Sequence, residues 1–210
     1  MPAPNHFTTE TFIPLCDLVA GRDKALQQII KDHGYPPMWQ REPGFATLIH
    51  IILEQQVSLA SAKAALHQLT RKIGTITPAK LLKLNDDELR ACYFSRQKTV
   101  YARELATALV TKKLNLSALH ASDDAVIRNE LKKIKGIGDW TVDVYLMMAL
   151  QRIDFFPLGD IALVNSLKKV KQLQPGTSGA DLLRVADSWR PYRTIAAYLL
   201  WHAYLSAAKK

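Results

Sequence analysis

Several things are scarce in this sequence, and each scarcity excludes a class of protein. There are two cysteines, Cys16 and Cys92, too few for a disulfide framework, a four-thiolate zinc site or a four-cysteine iron–sulfur cluster. They read as two reduced, buried thiols. The histidines His6, His33, His50, His67 and His120 show no metal-ligand spacing, so no metal held by side chains is expected. The longest apolar stretch, around Ile195–Ala208, is broken by His202 and is too short to span a bilayer. The first residues, Met1-Pro2-Ala3-Pro4-Asn5-His6, lack the charged and apolar regions of a signal peptide. A soluble cytoplasmic protein with no membrane partner is the expectation. No repeat of solenoid period and no low-complexity linker occurs.

Acidic residues are also scarce beside basic ones, 19 against 28, which leaves a net charge of +9. Such a surplus points to an anionic partner, nucleic acid or a membrane surface. Its location says more than its size: residues 1–95 sum to +1 and residues 96–210 to +8. An anionic partner should therefore meet the second part. What is plentiful is apolar side chain: 48% of 210 residues, enough to bury a substantial core in one domain or in two small lobes. Intrinsic disorder and a multi-domain array are both excluded.

The apolar spacing is that of helices. Leu59, Ala62, Leu66, Leu69 and Ile73 recur at gaps of three and four, with Lys63, His67 and Arg71 on the other side and Ser58 placed to cap the helix. A helix over Ala46–Leu53 precedes it. Thr77-Pro78 opens a short helix, and Asn85 with Glu88 makes a capping-box start. Further helical runs cover Ser95–Thr111, Ser122–Ile134, Trp140–Gln151, Asp160–Val170, Gly179–Ser188 and Pro191–Ala208, and Phe7–Leu15 is the one short β candidate. The reading is an all-α protein of about ten helices.

Between two of these helices stands Lys135-Gly136-Ile137-Gly138-Asp139-Trp140-Thr141. Glycines accept turn dihedrals and close ligand approach, and the helix that follows presents free N–H groups and the positive end of its dipole. The segment can thus clamp a phosphate, with Ile137 anchoring the turn and Lys132, Lys133 and Lys135 adding charge. A plain helix–helix turn with capping glycines and solvated lysines fits the same residues.

This hairpin, with Phe156-Pro157-Leu158-Gly159-Asp160 after it, resembles the signature of the helix-hairpin-helix DNA glycosylase superfamily. Trp140, Trp189-Arg190-Pro191-Tyr192-Arg193, Trp201, the Glu54-Gln55-Gln56-Val57-Ser58 turn and Phe94-Ser95-Arg96-Gln97-Lys98 resemble its 3-methyladenine DNA glycosylase II branch, over roughly residues 40–207. The resemblance implies two helical lobes with a cleft between them, one of residues 44–152 and the other of residues 1–43 with 153–210, and no separate N-terminal domain.

It further implies that Asp160 is the catalytic aspartate, a residue that also suits a helix N-cap. Trp140, Trp201, His202 and Tyr145 would line the base pocket, although each tryptophan alone also reads as core. His202 departs from the tyrosine of some relatives, and Val144 stands where an aromatic can complete the pocket. Gln56, otherwise an exposed turn residue, matches the side chain that fills the gap left by a flipped base. Gln56, Lys132, Lys135, Gly136, Ile137, Gly138 and Thr141 form the implied DNA-binding set. Asp139, in the phosphate-facing turn, is an unfavourable charge beside DNA unless it caps the following helix.

Bifunctional members carry a Schiff-base lysine two residues after the second hairpin glycine, where this chain has Trp140. No lyase chemistry follows. The expectation is a monomeric, monofunctional glycosylase acting on double-stranded DNA with alkylated bases, nucleoid-associated in a bacterium. It needs no cofactor beyond a monovalent cation at the hairpin carbonyls, which the resemblance suggests. The alternatives are a non-catalytic DNA-structure-binding module, a glycosylase for another damaged base, and a basic scaffold with no nucleic-acid role.

Overall fold

The computed structural model of the protein describes residues 5–207. Among them lie thirteen helices and no strand: α1 Thr9–Gly21, α2 Lys24–His33, α3 Phe45–Glu54, α4 Leu59–Ile73, α5 Pro78–Leu82, α6 Asp86–Ala91, α7 Arg96–Val110, α8 Leu116–His120, α9 Asp124–Lys132, α10 Asp139–Met148, α11 Ile161–Val170, α12 Gly179–Asp187 and α13 Arg193–Ala207. The architecture is all-α, as expected.

Local chemistry explains most of the helix starts. Ser58, Thr77, Asn85 and Ser95 each accept a main-chain N–H from the third helical residue, and Asn85 and Glu88 complete their capping box. Each such cap contributes about 0.5–2 kcal/mol. Three helices exceed the expectation: α1, α2 and α8. The β candidate Phe7–Leu15 is overturned, because Thr8 and Thr11 cap each other reciprocally and launch α1, which buries Phe12, Cys16, Val19 and Ala20. What remains of extended pairing is one antiparallel bridge, His6 to Arg152.

The chain divides into two compact units, one of residues up to Gln40 together with those from Leu146, the other Arg41–Tyr145. The expected extents 1–43 and 153–210 include residues 1–4 and 208–210, and with them the end of the expected helix at Ala208; these lie outside the described residues. In the first unit α13 is the central helix: Thr194–Trp201 is buried without interruption, and α1, α2, α11 and α12 pack against it. Phe7, Phe12, Trp39 and Trp201 crowd around Tyr198, with ring centroids 5.4–5.9 Å from it. A helical segment buried all round in this way has no polar face, which is what the apolar run from Ile195 to Trp201 requires.

In the second unit α3 packs on α4 and α7, while α5 and α6 pack on α7. α3 buries Leu48, Ile49, Ile51, Ile52 and Leu53 at 1% exposure or less. One expected core position fails: Leu59 is 58% exposed, since α4 turns Ala62, Ala65 and Leu69 inward and Leu59 sits at its first residue.

Candidate functional site

The hairpin of the second unit joins α9 to α10. Ile137 is buried and its N–H bonds to Ile134 O at 3.0 Å, so it anchors the turn rather than facing a ligand. The two glycines differ. Gly136 has φ +91, and a Cβ there would lie 2.0 Å from the Tyr101 ring of α7, so its glycine is demanded by an aromatic neighbour and by a left-handed backbone. Gly138 is exposed with open space beside it, and its carbonyl accepts from Val142 N–H to start α10. Open space lies beside Gly138, whereas at Gly136 the Tyr101 ring fills the place a side chain would take.

The hairpin lysines are not equivalent either. Lys132 donates to both oxygens of Asp139, at 2.9 and 2.8 Å, and Arg128 bonds Asp139 at 2.8 Å while also pairing with Asp143. The Lys132 ammonium, helped by Arg128, holds the Asp139 carboxyl below the usual carboxylate range. Asp139, whose charge was unfavourable on sequence grounds, is thus compensated. Lys132 consequently brings no uncompensated charge to a phosphate, and Lys133 is paired with Glu130. Lys135 is exposed and enters no ion pair among the described residues, so it supplies the hairpin's available charge.

Gln56 is exposed at φ 57 between α3 and α4. Beside it, Gln55 donates from Nε2 to Gly136 O at 2.9 Å and to Thr141 Oγ1 at 3.0 Å. Thr141 is 1% exposed and so is corrected from a DNA contact to an interior residue that receives this bond. On the opposite side, Lys98 Nζ donates to Leu53 O at 2.6 Å, in the last turn of α3, and burial lowers the affinity of that ammonium for its proton. Trp140 is half-buried on α10. Tyr145 is corrected from pocket lining to core: it is wholly buried, its hydroxyl 2.7 Å from His120 Nε2 and bonded to the Gly44 main chain, and burial raises its pKa.

In the first unit Asp160 is the N-cap of α11. Its Oδ1 accepts from Leu163 N–H at 2.8 Å and from the Trp201 indole N–H at 3.2 Å. Two N–H donors from different helices fix the carboxylate, so the capping role and a chemical role are compatible. Trp201 is 7% exposed and stands edge-on to half-buried Trp39, with centroids 6.4 Å apart. His202 is half-buried, and its Nε2 lies 3.0 Å from His33 O. A carbonyl only accepts, so Nε2 carries a proton there.

Sequence reasoning missed Gln55, Trp39, Tyr101, Arg128 and Lys98. Gln55 stood in the turn motif beside Gln56, and Lys98 in the motif from Phe94, and both went unassigned; Trp39, Tyr101 and Arg128 meet partners outside their own helices or turns, which no local pattern announces.

The profile of HhH-GPD superfamily base excision DNA repair proteins matches residues 49–190, a span that holds the hairpin, the Gln55-Gln56 turn and Asp160. The chain belongs to this superfamily. The Bacillus subtilis protein YfjP is 29% identical over 187 residues, 85% of this chain and 65% of its own length, so the chain spans about two thirds of that relative. A solved Bacillus halodurans DNA-3-methyladenine glycosidase superposes with a TM-score of 0.73 at 27% identity, over 99% of this chain and 95% of that one. Schizosaccharomyces pombe 3-methyladenine DNA glycosylase, solved with abasic DNA, gives 0.80 at 25% identity, over 92% and 95%. The HhH-GPD fold and a place in base excision DNA repair are thereby established for this chain. No helix of the described residues is long and apolar enough to cross a membrane.

Proposed function

We infer that this HhH-GPD protein is a monofunctional DNA glycosylase that flips an alkylated purine of the 3-methyladenine type out of duplex DNA and hydrolyses its N-glycosidic bond. The observation that carries the reading is the Asp160 carboxylate, held by Leu163 N–H and Trp201 N–H at the start of α11. Breaking an N-glycosidic bond builds positive charge on the sugar, and a fixed carboxylate stabilises that charge or orients a water against it. A unit charge developing about 4 Å from a carboxylate gains about 4 kcal/mol at an effective dielectric of about 20, or roughly a thousandfold in rate.

An alkylated purine is electron-poor and leaves without strong acid catalysis, which fits a site built on one carboxylate. Such a base presents a cationic π-face, and an indole stacks on it for about 0.5–2 kcal/mol. Trp201, with His202 beside it on α13, serves this recognition. Trp140 occupies the place of the Schiff-base lysine of bifunctional relatives, so the product is an abasic site with an intact strand.

Gln56 fills the gap left by the flipped nucleotide. Gly138, Lys135 and the first N–H groups of α10 hold a phosphate of the backbone. The hairpin's main-chain oxygens suit a monovalent cation in chemistry: Ile134 O gives one lone pair to Ile137 N–H and keeps a second. Such an ion adds positive charge beside the phosphate. The protein acts as a monomer in the compartment that holds the DNA, in association with the nucleoid if the cell is bacterial.

A non-catalytic DNA-structure binder needs the hairpin but gives no reason for Trp201 to hold Asp160. Incubating the purified protein with methylated duplex DNA and assaying freed bases separates the readings. Free 3-methyladenine is expected; binding without release of any base contradicts catalysis and favours the binder.

A further inference from the structure

The residue beside the gap-filling glutamine carries a role of its own. Gln55 closes α3, and its carboxamide crosses 81 positions of sequence to reach the hairpin at Gly136 O and 86 to reach Thr141 Oγ1. Because the Gly136 carbonyl only accepts, the nitrogen of the carboxamide faces it, and both amide hydrogens are used. One contact therefore lands on the turn of the hairpin and the other on the first turn of α10. The same α3 terminus is gripped at Leu53 O by the Lys98 ammonium. Between these two attachments the chain makes its left-handed step at Gln56, φ 57, and exposes that side chain. Gly136 in turn is fixed by its close contact with the Tyr101 ring. The Gln56 turn and the hairpin are thus members of one hydrogen-bonded assembly inside the second unit.

We propose that Gln55 is a positioning residue: it couples the hairpin to the turn that presents Gln56, so that grip on the phosphate backbone and filling of the vacated base position occur in a fixed register. The proposal rests on the glycosylase reading and on Gln56 as the gap-filling side chain. Gln55 touches neither base nor sugar. It acts through Gln56, and its loss lowers the population of the flipped state while leaving the affinity for undamaged DNA in place.

The test is a double-mutant cycle of Gln55→Ala and Gln56→Ala in the whole protein. Its readouts are single-turnover base release from a methylated duplex, and flipping followed by a fluorescent base analogue beside the lesion. Each single variant is expected to slow release about tenfold, and the double variant no more than about tenfold, because both remove the same interaction. Affinity for undamaged duplex should stay within about twofold of wild type in Gln55→Ala. Multiplied losses in the double variant, about a hundredfold, overturn the proposal, as does a wild-type rate in Gln55→Ala.

Gln55→Glu guards against a folding defect in the alanine variant, since it keeps the size and removes the donors. Its rate relative to wild type at the same pH should rise on acidification, when a protonated carboxyl again donates to Gly136 O; a flat ratio counts against the coupling. Wild-type protein that frees no base overturns the glycosylase reading and this proposal with it. Wild-type release with a neutral Gln55→Ala overturns the proposal alone.

Discussion

Two helices of this protein start with the pair Gly-Asp, and the two aspartates have opposite fates. Asp139, after Gly138, opens α10; Asp160, after Gly159, caps α11. The Asp139 side chain is 62% exposed and meets Lys132 and Arg128, which compensate its charge. Asp160 is half-buried, and its Oδ1 is fixed by an amide and an indole N–H. The same residue type at the same point of a helix is in one case exposed and bound by an ammonium and a guanidinium beside the hairpin, and in the other half-buried and held by an amide and an indole N–H from two helices. Neither the preceding glycine nor the helix start distinguishes them. Their neighbours do.

The largest effect expected from breaking this contrast follows Asp160→Asn. Asparagine caps a helix as well as aspartate, so α11 stays formed while the negative charge disappears. Base release should fall by about a thousandfold, with the affinity for methylated duplex retained. Trp201→Phe sharpens the contrast further, because it keeps an aromatic ring and removes the indole N–H that holds Asp160 Oδ1. Release should drop about tenfold, the scale of one lost hydrogen bond to a charged group, measured in single turnover at saturating protein. An unchanged rate would reduce Trp201 to a core residue.

The smallest effect is on the other aspartate. Asp139→Asn frees Lys132, so undamaged duplex should bind a few-fold tighter and the salt slope of binding steepen by about one, with base release nearly unaltered. An identical slope would mean that Lys132 faces no phosphate even when released. The Asp139 carboxyl lies below its usual value, so its pairing with Lys132 and Arg128 is complete above about pH 4 and is lost as the pH falls through that lowered value. Binding assays near neutral pH therefore report the paired state.

Much of this arrangement was legible in the sequence where the deciding chemistry is local. Ser58, Thr77, Asn85 and Ser95 were readable as caps because donor and acceptor lie within four positions. The hairpin was readable because its spacing in the chain is itself the motif, and Asp160 was readable as a helix cap because the N–H it accepts lies three positions on. α1 was not, since threonines at positions 8 and 11 replace the usual capping pair and Pro14 sits inside the helix. Tyr145 was misassigned because nothing near it in sequence announces His120, 25 positions earlier. Thr141 and Lys132 were assigned to DNA for the same reason: periodicity tells which face a residue is on, but not which polar group it meets there. Gln55, Tyr101 and Lys98 show the cost of that gap, as their partners lie 35 to 86 positions away.

In the proposed reaction Asp160 supplies the charge that stabilises the sugar as the glycosidic bond breaks. Single-turnover release of 3-methyladenine from one methylated duplex by wild type, Asp160→Asn and Asp139→Asn, with binding measured in parallel, tests it most directly. The account predicts release by wild type and Asp139→Asn, loss in Asp160→Asn, and DNA binding in all three. Full release by Asp160→Asn would contradict it.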